Sequence, residues 1–272
     1  MMSFKYSKII FLQIGIIFLF GFDTRIPKYA LQEEYGNVEL IISPVIDGRP
    51  FHFNTEYKAP SGEQYSLKSL KFFMCDLGFS LATGIENSPQ AESTKHGVFF
   101  VDFNDQKNKV DTLNAKIKFK VKVGDYSDIR FNIGIPRQLN HSDPTVAPPP
   151  LDIGKGDMYW EWNSGYIFLL IEGKGSEIKN NLLHLAIGED SRIMQFSFGN
   201  LFEMTPLIKI KKNKTTRIEF QLDLNKILVN GDGSTYSFKS FEAANVHGGY
   251  FADILRMNIL HAIKFKSSRI VE

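Results

Sequence analysis

Imidazole is the most plausible reactive group in this chain, which carries six histidines: His52, His96, His141, His184, His247 and His261. A neutral imidazole offers one nitrogen lone pair near pH 7, which makes histidine a general base, a proton carrier or a metal ligand. Three of the six have informative neighbours. His52 lies in "FHFN" between two phenylalanines, His141 ends the segment "GIPRQLNH", and His184 interrupts the otherwise apolar "LLHLAIG". Imidazole ligands suit copper, and a soft thioether such as Met158 would favour the cuprous state. His52, His184, His141 and His96 are therefore the candidate metal ligands. Beside them stands the plain structural reading, in which a lone histidine is a surface residue or a satisfied one.

The second chemical feature is "MYWEWNSGY", which holds both tryptophans, Trp160 and Trp162. An indole near copper is an oxidisable group, but two indoles at alternate strand positions also read as core aromatics. Other chemistries lack their residues. There is no G-x-S-x-G, phosphate loop or Rossmann glycine pattern, and no H-E-x-x-H or C-x-x-C spacing. "NGDGSTY" looks superficially like a calcium loop but lacks the later bidentate glutamate, and reads as a turn. The single cysteine, Cys75, sits in an apolar run and reads as a buried, inert thiol. No base and nucleophile can be assembled, so a non-enzymatic protein is expected.

The elements that must position these residues have a period of two. "AKIKFKVKV" places Ile117, Phe119, Val121 and Val123 on one face and four lysines on the other. "TRIEFQLDL" alternates in the same way. Such segments are strands with one face on a core and one in water, and the lysines are a solvated face rather than an anion site. Further strands are expected at Val38–Val45, Phe51–Tyr57, Leu67–Leu81, Val98–Phe103, Arg130–Ile135, Tyr166–Ile171, Leu182–Ile187 and Ile193–Phe198, separated by Gly-, Asp- and Asn-rich turns. The expected fold is all-β, an antiparallel β-sandwich of immunoglobulin-like or barrel-like form. One C-terminal helix is expected, where Phe251, Ile254, Leu255, Asn258 and Ile259 recur at helical spacing behind Gly248-Gly249. The stretch Gly134–Asp157 has five prolines and no period, which marks a long functional or disordered loop, stiffened and extended at Pro148–Pro150. It leads into a hairpin in which Met158, Trp160 and Trp162 share a face and Gly165 closes an "NSG" turn with positive φ.

The N-terminus has Lys5 and Lys8 ahead of an apolar run from Ile9 to Phe22. That is the pattern of an export signal, and the run is shorter than the roughly 20 residues a spanning helix needs. The expected organisation is a signal peptide over 1–22, a linker over 23–36 and one domain over 37–272, placed in the periplasm, on the cell surface or outside the cell. Net charge is +2, from 32 basic and 30 acidic residues. That balance offers no basic face for nucleic acid. No insertion into the membrane is expected after cleavage, and the oligomeric state is left open.

"GIPRQLNH", then "PPPL", "MYWEWNSGY" and "LLHLAIG", resembles the MbnP-like family, periplasmic copper-binding proteins of methanobactin operons together with methanotroph surface copper proteins. The likeness falls on Gly134, Pro136, Leu139, Asn140, His141, Pro150, Leu151, Met158, Trp160, Trp162, Gly165, Tyr166, His184 and Leu185. "FHFNTEYKAPSGEQYSLKSLKFFMCDLGFS" is similar to the family's opening strands, with Cys75 where a serine is common, so the resemblance runs from about Val38 to Phe220. It implies an exported β-sandwich that binds copper through histidines. In characterised relatives a tryptophan oxidised to kynurenine helps hold the copper, and a dihaem peroxidase of the MauG type makes that modification. The segment matching the modified tryptophan is here "GVFFVDFNDQKN", with Phe99, Phe100 and Phe103 and no tryptophan. That leaves Trp160 and Trp162, the family-signature hairpin, as the only indoles. The alternative reading is a metal-free binding module on the same sandwich, using the proline-rich loop and hairpin to hold a protein or glycan.

Overall fold

The computed structural model describes residues 33–81, 86–87, 97–104, 114–152, 157–162, 165–199 and 208–271. The expected signal peptide, most of the linker and His96 lie outside the described residues. The strands run in order β1 (Tyr35–Ile46), β2 (Arg49–Pro50), β3 (Tyr57–Lys58), β4 (Gln64–Leu81), β5 (Glu86–Asn87), β6 (Phe99–Asp102), β7 (Ala115–Lys122) and β8 (Gly124–Ile133). Helix α1 (Arg137–Asn140) follows, then β9 (Tyr159–Trp160), β10 (Gly165–Gly175), β11 (Leu183–Gly188), β12 (Met194–Ser197), β13 (Ile208–Ile210) and β14 (Thr215–Asp223). The last elements are α2 (Phe241–Ala244), β15 (Asn245–Val246), α3 (Gly249–Ala262) and β16 (Ile263–Ile270).

Two sheets result. The smaller has the order β16-β14-β1-β2 with β7 also on β1; the larger has the order β12-β8-β4-β10-β11-β15 with short strands added to β4, β8 and β10. The alternating segments sit as their pattern predicts. Ile117, Phe119 and Val121 are buried while Lys116, Lys118 and Lys120 are exposed. The inner faces meet through aromatic contacts, Phe79 on Phe119 at 6.0 Å and Phe131 on Phe220 at 5.5 Å between ring centroids. This is the expected all-β, sandwich-like architecture with one long helix near the C-terminus. Its sheets are mixed, however, because β1 runs parallel to β14 and β11 runs parallel to β15.

Several local expectations change. Phe51–Tyr57 is not a strand: Asn54 adopts positive φ and donates its N–H to the Leu67 carbonyl, which turns the chain. Only the flanking pairs β2 and β3 enter a ladder. Helix α3 buries Ala252, Leu255, Asn258, Ile259 and Ala262, close to the expected stripe. It is not the last element, because β16 returns beside β14, with a register shift between Glu219 and Phe220 that hides its alternation. Pro148–Pro150 closes a turn rather than an extended path: Leu151 donates its N–H to Pro148, and the Pro149–Pro150 bond is cis. Cys75 is buried and unpaired, and burial, then Asp76, pushes its thiol pKa upward.

On the outer face of the smaller sheet, Glu39 lies opposite Arg217 on β14 and Lys118 on β7. Arg217 reaches its carboxylate with two nitrogens at 2.8 and 2.9 Å, and Lys116 lies 3.2 Å away. Burial would raise the Glu39 pKa above its ordinary 4.5, but the bonds from Arg217 and Lys116 outweigh it and hold the pKa lower. A depressed carboxyl pKa stabilises the fold above the ordinary value and loses that contribution as pH falls through the folded value. Glu39→Gln is expected to cost about 1–3 kcal/mol at pH 7. In urea titrations across pH the gap from wild type should close below pH 4.5; a constant gap would contradict the pairing.

Candidate metal centre

The proline-rich loop is held down by one buried asparagine. Asn140 is 1% exposed; its Nδ2 donates to Asp190 at 2.8 Å, and its Oδ1 accepts the Tyr166 N–H at 2.9 Å. Loop, hairpin strand β10 and the turn after β11 therefore meet on a single side chain. Asp190 also receives His141 Nε2 at 3.0 Å and Arg137 at 3.3 Å. Burial acts to raise the Asp190 pKa, yet Asn140, His141 and Arg137 together hold it below the ordinary carboxylate value. Tyr166 completes the latch by donating its hydroxyl to the Leu151 carbonyl. The "N-H" of the loop motif thus works as a structural lock. Asn140→Ala strands the buried Tyr166 N–H and should cost about 1–3 kcal/mol, read as a lower urea midpoint with an unchanged slope. An unchanged midpoint would contradict it.

The hairpin is shorter than its sequence suggests. Asn163 and Ser164 of the expected turn lie outside the described residues; among those described, Tyr159 and Trp160 pair with β10 on this side, and Gly165 lies in the strand opposite Trp160 rather than in a left-handed turn position. Gly165 packs beside the Asn140 side chain, which a Cβ there would meet at 3.4 Å, an ordinary van der Waals contact. Met158 and Trp160 are buried, and Trp160 is pressed onto Gly188, where a Cβ would lie 2.5 Å from the indole. Trp162 does not share their burial. It is 69% exposed, packs on Trp160 at 5.5 Å, and points edge-on to His247 at 6.4 Å.

His247 and His184 form the histidine pair of this face. Parallel pairing of β11 with β15 sets His184 opposite Asn245, two residues before His247, and the two imidazole centroids are 4.7 Å apart at 33°. Each ring is oriented through one nitrogen. Glu172, directly across from His184 in the β10–β11 ladder, accepts from His184 Nδ1 at 3.3 Å. Asn245 Oδ1 accepts from His247 Nε2 at 3.3 Å. Because both partners are acceptors, those nitrogens carry protons, and in a neutral ring the lone pair falls on His184 Nε2 or His247 Nδ1. His247 Nδ1 is buried and has no hydrogen-bond partner among the described residues. Burial, and then repulsion from His184, depress the His247 pKa below its ordinary 6.5, so the ring is neutral at pH 7. The hydrogen bond from His184 is the main cause that holds Glu172 ionised below its ordinary pKa, with Lys68 assisting 3.7 Å away.

Two oriented imidazoles, one with a buried lone pair on His247 Nδ1, fit a metal that accepts few ligands. Carboxylate and amide partners of this kind are the outer supports that raise ligand basicity in metal sites. Among the described residues no group of three or more His, Cys, Asp or Glu side chains is placed to hold an ion. Zinc, which takes at least three protein ligands, is therefore poorly served by these two. A cuprous ion is better served.

Of the sequence candidates, only His184 is in this pair. His52 sits on the β2–β3 connection, exposed, with its N–H bonded to the Tyr57 hydroxyl, and no described contact joins it to His184 or His247. His141 is engaged by Asp190, and His96 lies outside the described residues. His247 was missed because "NVHGG" has no periodicity or motif to distinguish it.

A family model described as MbnP matches residues 35–247. That span includes the loop, the hairpin and both members of the histidine pair. The fold is similar to that of the solved structure of MbnP from Methylosinus trichosporium, with a TM-score of 0.51 and 15% identity, covering 72% of this chain and 78% of that one. No curated protein sequence matches the chain.

Proposed function

This chain belongs to the MbnP family, and on that premise we propose that it is an exported, non-enzymatic copper-binding protein that holds cuprous ion on His184 and His247. The observation that carries this reading is the buried, unpartnered Nδ1 of His247 beside the His184 ring. A bare lone pair in a buried position is costly unless something occupies it. Copper bound there would be a soft, redox-active cargo. The chain's own contribution is to turn both rings, through Glu172 and Asn245. The test is competition titration of the purified protein against a cuprous chelator. One equivalent bound more tightly than about 1 µM supports the reading, and weaker binding contradicts it.

Export rests on Lys5, Lys8 and the Ile9–Phe22 run, and predicts a periplasmic or secreted product cleaved near residue 22. The family resemblance adds a dihaem peroxidase of the MauG type as partner. Trp162 is the indole such a partner can reach, since Trp160 is packed against Gly188. Protein isolated from its native source should carry an oxygen-dependent mass increase that maps to Trp162; an unmodified Trp162 peptide would remove the partner from this reading. A metal-free binding module remains the second reading, favoured by the outward indole of Trp162 and the exposed Val146 on the loop. Failure of the copper titration would leave it standing.

A further inference from the structure

The end of β11 and the turn after it touch both the hairpin and the proline-rich loop. Gly188 receives Trp160, and Asp190 locks Asn140 and His141. Arg192, 8% exposed, reaches toward the other side. Its Nε donates to Asp253 Oδ1 at 2.7 Å, its Nη2 lies 3.4 Å from Asp253 Oδ2, and its Nη1 donates to Glu189. Asp253 lies near the start of α3, and Glu189 lies just past the end of β11. The guanidinium therefore bridges the strand that carries His184 and the helix that begins two residues after His247.

That bridge matters because the backbone around His247 is weakly determined. Strand β15 has two residues, and its pairing with β11 ends at Val246. His247 lies beyond the pairing and is followed by Gly248 and Gly249, the latter at φ 68°. Glycine backbones are permissive and specify no single path. The space is also close: a Cβ on Gly248 would lie 3.1 Å from Glu189 Oε1.

We infer that Arg192 is a positioning residue of the histidine pair, holding the His247 ring against His184 by clamping Asp253 to Glu189. The ring placement stands on the structure alone; its effect on copper rests on the function proposed above. Lysine keeps the charge but lacks the planar fork that engages two carboxylates at once, so Arg192→Lys is the informative change.

The experiment is NMR on the full protein without metal, followed by cuprous titration. Wild type should show a nuclear Overhauser contact between the His184 and His247 rings. Arg192→Lys should lose it while keeping the contact between Phe131 and Phe220, and its cuprous affinity should fall tenfold or more. Arg217→Lys serves as the control, because it breaks a comparable fork on Glu39 in the other sheet. It should lower stability but keep both the ring contact and the affinity. If Arg192→Lys fails to fold, Asp253→Asn removes the partner carboxylate at a more exposed position. A ring contact that persists in the folded variant overturns the inference. If wild type binds no copper, the copper reading fails and the ring contact alone still decides the role of Arg192.

Discussion

His247→Ala should lower cuprous affinity at least a hundredfold, about 2.7 kcal/mol or more, and His184→Ala should do the same. In the proposed site each ring would supply one of two lone pairs, so removing either leaves a single imidazole. The support beneath them should matter less: Glu172→Gln keeps both rings but weakens the acceptor for His184 Nδ1, and losses of 10- to 100-fold are usual for such partners. His52→Ala should leave affinity unchanged, because the described contacts keep His52 apart from the pair. Competition titration of the four variants checks the set. A wild-type-like affinity in His247→Ala would contradict the assignment.

The same pair sets a pH dependence. A proton and a metal compete for the Nδ1 lone pair of His247. Burial and the neighbouring His184 lower its pKa, so protonation is resisted and the lone pair stays available as pH falls toward the ordinary value of 6.5. A proton should therefore compete for His247 only in solution more acidic than that value. An NMR titration of the His247 ring in the metal-free protein with its midpoint above the ordinary 6.5 would contradict this.

The two tryptophans should separate by stability. Trp160→Ala removes a buried indole from against Gly188 and should cost about 3–5 kcal/mol. For a domain of this size that is a fall in melting temperature of roughly 10 °C. Trp162→Ala removes an indole that is mostly in water, and should stay within about 0.5 kcal/mol. Gly188→Ala should resemble Trp160→Ala, since its new Cβ would lie 2.5 Å from the indole and 2.7 Å from the Tyr166 carbonyl. Equal melting shifts for Trp160→Ala and Trp162→Ala would contradict this division of labour. So would a stable Gly188→Ala.

The hairpin shows where sequence reasoning stops. Alternation places Met158, Trp160 and Trp162 on one face, and the first two are buried as a shared face requires. The ladder with β10 ends at Trp160, however, and beyond that point the alternation no longer describes Trp162. The loop motif behaves similarly. Asn140 and His141 stand out as a pair in the sequence, but only Asp190, fifty residues further on, makes them a lock.

The sequence by itself determined what depends on near neighbours. Period-two alternation sets which side chains of β7 and β14 enter the core, helical spacing sets the buried stripe of α3, and the loop and hairpin motifs identify the family. These are local patterns, because a strand or helix turns its residues by a constant angle. Only the tertiary structure decided which histidines meet. His184 and His247 are 63 positions apart, and the parallel pairing of β11 with β15 is what brings them together. Their chemistry is equally non-local. A lone pair becomes a ligand when the other ring nitrogen is tied down and water is kept away. Glu172, Asn245 and the packing around His247 supply those conditions, and none of them can be read from "NVHGG".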